Sequence, residues 1–292
     1  MKRILPFMIL SIGLAACSEV DKTASITEED TQVIATTVAT ALADRNDGVI
    51  TELYDLTSAL GFGSVLNTSG PFAPPAVPPR PGAGNKRNYT RSYDPATGKH
   101  VISFEHSVTA NDITKSISVY HEFIYKNPAG AFVQFPGRAE VATLAFTGRR
   151  QGSVTTPRHS SQDLRRATWN MSGLQSGSAR ILLNGSQENS GDVTVKLADD
   201  KTASRQYAMK LTFADVNIAK SFRADSTLEN KVSGTITFEH TMKHTLPTGE
   251  VREKTNSGSI ELTGNGRALL RIMGIRAIYG INLSTGDVDS GS

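Results

Sequence analysis

The sequence predicts a mainly β protein, a large curved antiparallel sheet or partly closed barrel of about a dozen strands, with an N-terminal helical segment packed on it. Three observations carry that expectation. Over residues 87–283 apolar side chains recur at every second position, the period of a half-buried strand. Turn chemistry punctuates the alternation at short intervals. Over residues 27–61 the period is instead that of an amphipathic helix.

The chain begins with a basic Met1-Lys2-Arg3, and residues 4–14 form an apolar run of the length of a secretory signal. A bilayer span would need roughly 20 apolar residues. Leu14-Ala15-Ala16-Cys17 follows. This string resembles the lipobox of bacterial lipoproteins and matches it at all four positions. The resemblance covers only residues 1–17. It implies signal cleavage after Ala16, diacylglycerol on the Cys17 thiol and acylation (palmitate) of the new amine, so that the membrane is a partner through the acyl chains. Ser18 stands where Asp would mark inner-membrane retention, which implies the outer membrane of a Gram-negative cell. Cys17 is the only cysteine, so no disulfide framework is expected. Each buried CH₂ contributes about 0.8 kcal/mol, so three chains would anchor the protein stably. The sequon matches at Asn67, Asn88, Asn170, Asn184 and Asn282 then read as polar loops and strand ends.

Removal of Lys2 and Arg3 takes the formal charge from +3 to +1. A near-neutral, mixed surface argues against nucleic acid as a partner. Abundant Ser, Thr, Gly and Asn suit a sheet with one solvated face.

After a tether over 17–26, a helix is expected from about Thr27. Ser25 with Glu28, and Thr27 with Asp30, have capping-box spacing, and Glu28-Glu29-Asp30 suits the positive end of a helix dipole. Val33, Ile34, Val38, Ala41 and Leu42 form one stripe, and Val49, Ile50, Leu53, Tyr54, Thr57 and Leu60 a second. Asp44-Arg45-Asn46-Asp47-Gly48 between them gives two helices or one kinked helix. Their polar face is acidic, which favours docking on the sheet over a membrane surface. Residues 62–86 read as a linker, because Pro71, Pro74, Pro75, Pro78, Pro79 and Pro81 cannot pair in a sheet.

In the β region, Ile102, Phe104, His106 and Val108 share a face. So do Ile117, Val119, His121, Phe123 and Tyr125, then Tyr207, Met209, Leu211 and Phe213, then Ile236, Phe238, His240, Met242 and Leu246, and last Ile275, Ala277, Tyr279, Ile281 and Leu283. Shorter runs are expected at 131–135, 139–148, 164–171, 178–183, 192–198, 251–256, 258–263 and 267–273. Turns are expected at Pro95-Ala96-Thr97-Gly98, Asn127-Pro128-Ala129-Gly130, Asn184-Gly185, Asn189-Ser190-Gly191-Asp192, Pro247-Thr248-Gly249 and Ser257-Gly258-Ser259. Residues 284–292 read as a disordered tail. Scattered aromatics and a lipobox argue against a membrane-spanning barrel.

Residues capable of chemistry are sparse. His240 and His244 share a strand face some 13 Å apart, too far for one metal. Glu105 and Glu239 adjoin His106 and His240 but point to the opposite face. A cross-strand pair of His106 with His121 is geometrically open. Asp199-Asp200, Asp287 and Asp289 lack the ligand count of a calcium loop. Gly173-Leu174-Gln175-Ser176-Gly177 fails the spacing of a nucleophile elbow. Trp169, with Arg165 and Arg166 before it, suits a carbohydrate or anion contact, or a core tryptophan with rim arginines. No catalytic, metal or cofactor set is expected. The functional expectation is a non-catalytic, lipid-anchored envelope protein binding an apolar or amphipathic, lipid-like ligand. The alternative is a structural component that contacts another envelope protein.

Overall fold

The computed structural model describes residues 28–46, 48–59, 88–136, 139–197, 201–220 and 227–290. The expected signal peptide with Ala16, Cys17, the expected tether, the expected linker of 62–86 and Asp199-Asp200 lie outside the described residues.

Two helices form where the two stripes were read. α1 (Glu28–Leu42) and α2 (Val49–Ala59) are joined through a 3-10 turn over Asp44–Asn46. The turn closes because Gly48 donates its N–H to the Ala43 carbonyl at 2.8 Å. A Cβ on Gly48 would meet the Leu42 carbonyl carbon at 2.4 Å, so only glycine allows the return. Ile34, Val38 and Leu42 of α1, and Ile50, Leu53 and Leu56 of α2, are all buried. No helix among the described residues is long and apolar enough to cross a membrane.

Twelve antiparallel strands follow in strict sequence order, each pairing with the next. They are β1 (Asn88–Asp94), β2 (Lys99–Ala110), β3 (Ile113–Lys126), β4 (Thr143–Thr155), β5 (His159–Ser172), β6 (Arg180–Lys196), β7 (Thr202–Ala219), β8 (Val232–Thr245), β9 (Val251–Thr263), β10 (Arg267–Ile272), β11 (Ile278–Asn282) and β12 (Val288–Ser290). β1 and β12 are the two ends of the order, so the sheet is open. A meander needs only short connections, and the tightest is Asn111-Asp112, both at positive φ as a primed two-residue hairpin requires.

One face of the sheet is buried from β3 to β11 in a single apolar cluster with both helices. That face spans roughly 38 Å at the usual strand spacing. α1 runs lengthwise, since its Asp30 meets Lys254 on β9 while the Asp44 N–H, just past its end, bonds the Leu283 carbonyl beyond β11. Two helices of about 10–12 Å diameter cannot cover so wide a flat sheet. The sheet therefore curls around them, and the helix side is its concave face.

The structure corrects several boundaries. Asn184-Gly185 and Asn189-Ser190-Gly191-Asp192 are not turns but lie within β6, so the two runs expected at 178–183 and 192–198 meet in one strand, Arg180–Lys196. Asn184 marks a bulge instead, with its Oδ1 accepting from the Asp215 N–H at 2.8 Å and its Nδ2 donating to Asp215 Oδ1 at 2.9 Å. Ser257-Gly258-Ser259 likewise lies inside β9. The run at 131–135 is a loop with an isolated Lys126–Phe132 bridge, and its Val133 N–H bonds the Tyr125 carbonyl at 2.9 Å. Residues 284–290 are not a disordered tail. β12 pairs with β11, and Arg45 donates its backbone N–H to the Ser284 carbonyl at 3.0 Å.

Candidate functional site

Strand register sorts the concave face into rows that cross the sheet. The floor is aromatic. Phe123, Phe146 and Trp169 occupy matched positions on β3, β4 and β5, and Phe213 continues the row on β7. Neighbouring centroids lie 5.4–5.6 Å apart. Trp169 is fully buried, so it is a core residue and not an exposed carbohydrate platform.

Four residues further along the strands the row is polar. Val119, Arg150, Arg165, Asn189, Met209, His240 and Asn256 are matched in register from β3 to β9. Alternation brings all of these side chains to the concave face. Asn189, His240 and Asn256 are buried, while Arg150 and Arg165 are half-buried. Gln187 lies two residues from Asn189 and donates its Nε2–H to Asn189 Oδ1 at 3.0 Å. That leaves Gln187 Oε1, Asn189 Nδ2 and both His240 ring nitrogens buried without a hydrogen-bond partner among the described residues.

The helices add a carboxyl to this row. Glu52 of α2 is buried, with its Oε2 unpartnered among the described residues. Burial raises its pKa, and the positive charges of Arg165 and Arg150 oppose that rise. His121 feels the same arginines, but burial comes first, and together they hold its pKa down at about 4. Burial alone takes His240 to about 4. Both imidazoles are therefore neutral at pH 7.

The next row outward is more open. It contains Ile117, Gly152, Asp163, Gly191, Tyr207, Met242 and Lys254. The Asp163 carboxylate folds over Gly152, with Oδ1 2.4 Å from where a Cβ would stand, and the Tyr207 ring folds over Gly191. Beside Arg150 the wall of β2 and β3 is apolar and only half-buried, with Ile102, Phe104 and Ile117. The polar row thus lies between a filled interior and a more exposed outer row.

The other candidate residues do not converge. His106 pairs in register with Ile117 and His121 with Ile102, so the proposed His106–His121 pair is some 13 Å apart along the strands. His244 contacts Arg205 Nε instead of His240. Asp289 pairs with Arg267. Among the described residues no three His, Cys, Asp or Glu side chains come together as metal ligands. Arg166 points to the convex face, where an open cleft of about 490 Å³ is lined by Thr212, Thr237, Glu239, Ser259, Arg271 and Met273. Sequence reasoning missed Arg150 and Glu52; it read Arg165 as either a carbohydrate or anion contact or a rim residue, and Asn189 as a turn residue. The one available signal was alternation. Arg165 is in phase with Trp169, as Asn189 is with Leu183.

No protein-family model matches the chain, and searches of curated proteins and of solved structures also return no match.

Proposed function

We propose that this is a non-catalytic lipoprotein, anchored in the outer membrane through Cys17, whose concave sheet face binds an amphipathic ligand. The observation that supports the ligand is the edge of the buried concave face. There the half-buried apolar wall of Ile102, Phe104 and Ile117 adjoins Arg150 and Arg165. An apolar surface beside fixed charges suits a molecule with a tail and a polar end. The anchor rests on Leu14-Ala15-Ala16-Cys17. Native mass spectrometry of the unacylated protein, purified gently from cells, tests the ligand. A bound mass that leaves on denaturation supports it, and a folded protein at its bare mass overturns it. Cys17→Ser should abolish fatty-acid labelling and membrane fractionation.

A second reading is a structural component of the envelope. It is favoured by α1 and α2, which fill the deeper part of the concave face with Ile34, Val38, Leu53 and Leu56. Crosslinking in intact cells that captures one discrete envelope protein, together with a bare native mass, would favour it.

A further inference from the structure

We propose that the end of the sheet at which β2–β3, β4–β5, β6–β7 and β8–β9 turn faces the bilayer, and that Val108, Ile113, Leu197 and Val251 at that end rest in the lipid interface. This inference rests on the lipid-anchor reading and adds which end of the fold meets the membrane.

Those four connections end on one level. A single register row runs from Thr109 and Thr114 through Thr155, Thr194 and Thr245 to Val251, and all four hairpins turn just beyond it. Val108 is 42 % exposed, Ile113 39 %, Leu197 38 % and Val251 52 %. Large apolar side chains scattered singly over a surface need no account, but these four share one rim across three different hairpins. Of the other exposed large apolar side chains among the described residues, Tyr120 and Met273 lie partway along the sheet, and Phe132 and Phe135 lie in the β3–β4 connection at the opposite end. Phe132 is packed within the fold, with its ring against Gly98 and the Lys126 ammonium 5.7 Å over it.

The occupant of that rim follows from where the chain enters the fold. α1 begins at the same end, because its Asp30 pairs with Lys254 near the start of β9. It runs toward the opposite end, because the Asp44 N–H bonds the Leu283 carbonyl while the Leu283 N–H bonds Gly266 in the β9–β10 turn. From Cys17 to Glu28 the chain spans at most about 40 Å when fully extended. Along β9 the near rim is about 10 Å from Lys254 and the far end about 30 Å. An anchor on Cys17 therefore brings the near rim to the bilayer with slack to spare, and reaches the far end only when nearly straight. Charges at the rim are of both signs. Lys196 and Lys201 flank Asp199-Asp200 in sequence, and Arg252 pairs with Glu250. What the rim offers a lipid surface is thus apolar contact rather than net charge.

The test uses the acylated protein, in which the Cys17 thiol is blocked and an introduced cysteine is the only free thiol. Leu197→Cys, Val251→Cys, Phe135→Cys and Met273→Cys are each labelled with the fluorophore NBD. Each is reconstituted into phosphatidylcholine vesicles with and without brominated acyl chains. All four side chains are exposed, so the labels leave the core intact. The expected result is blue-shifted emission, quenched by the brominated lipid, at positions 197 and 251, and unquenched, water-like emission at positions 135 and 273. The pattern should not change with salt. Quenching at position 135 instead of at 197 and 251 would overturn the assignment and turn the opposite end to the bilayer. Vesicles that carry the protein while all four labels stay in water would overturn the docking and leave the anchor standing. A protein that carries no acyl chains and does not float with the vesicles would remove the anchor and this orientation with it.

Discussion

Trp169 and Phe213 meet edge to face at 5.5 Å although a whole strand runs between theirs. The intervening position on β6 is Gly185, in register with both. Its φ is +134°, and a Cβ there would stand 2.1 Å from the Thr168 carbonyl oxygen. Gly185→Ala would impose a forbidden backbone and a clash with main chain. The expected loss is about 3 kcal/mol of stability. Urea unfolding followed by Trp169 fluorescence measures it, and a loss under 1 kcal/mol would show that the two rings do not depend on the gap.

That gap also shows how far the sequence can be read. Period-two alternation was legible from Ile102 to Leu283, because one face of the sheet is buried and the other is wet. Strand ends were less so. Asn-Gly and Asn-Ser-Gly are strong turn signals, but in β6 the asparagine serves a bulge with Asp215 and the glycine makes room for Trp169. Local preference gave way to the pairing of whole strands. The ligand face was harder still. Glu52 sits beside Leu53 on a helix whose polar residues read as a solvated side. The sheet wraps α2, so more than one side of that helix is buried, and no local pattern reports it.

Tyr54 fastens α2 to the connection between β7 and β8. Its hydroxyl donates to Glu229 Oε2 at 2.8 Å and accepts the Leu228 N–H at 3.0 Å. Leu228 and Glu229 are both buried. Tyr54→Phe would leave a main-chain donor and a carboxylate without that partner. The expected cost is about 1–3 kcal/mol. Amide exchange should localise it, with faster exchange at Leu228 and little change in β4 and β5. Uniform acceleration across the sheet would mean that the bond is not what docks the helix there.

His240 makes the fold sensitive to acid. Burial depresses its pKa from 6.5 to about 4, so the folded chain binds this proton less readily than the unfolded one. The stability tied to the neutral ring is full above pH 6.5 and is lost as pH falls toward 4. The loss amounts to about 3 kcal/mol. His240→Leu keeps the volume and removes the titration. Chemical denaturation between pH 4 and 7 should show a shallower dependence for the variant, whereas parallel curves would place the acid lability in His121 or elsewhere.

Glu52 acts in the opposite direction. Burial raises its pKa above 4.5 despite Arg165 and Arg150, so the folded state holds this proton more tightly than the unfolded chain. Its contribution is full below pH 4.5 and is lost as pH rises through the raised value. Glutamine reproduces the neutral form at every pH. Glu52→Gln should therefore be more stable than the wild type at pH 7, by an amount on the order of 1 kcal/mol, with the two converging below pH 4.5. If attraction to the arginines outweighed burial, the sign would reverse and the variant would be the weaker protein at neutral pH.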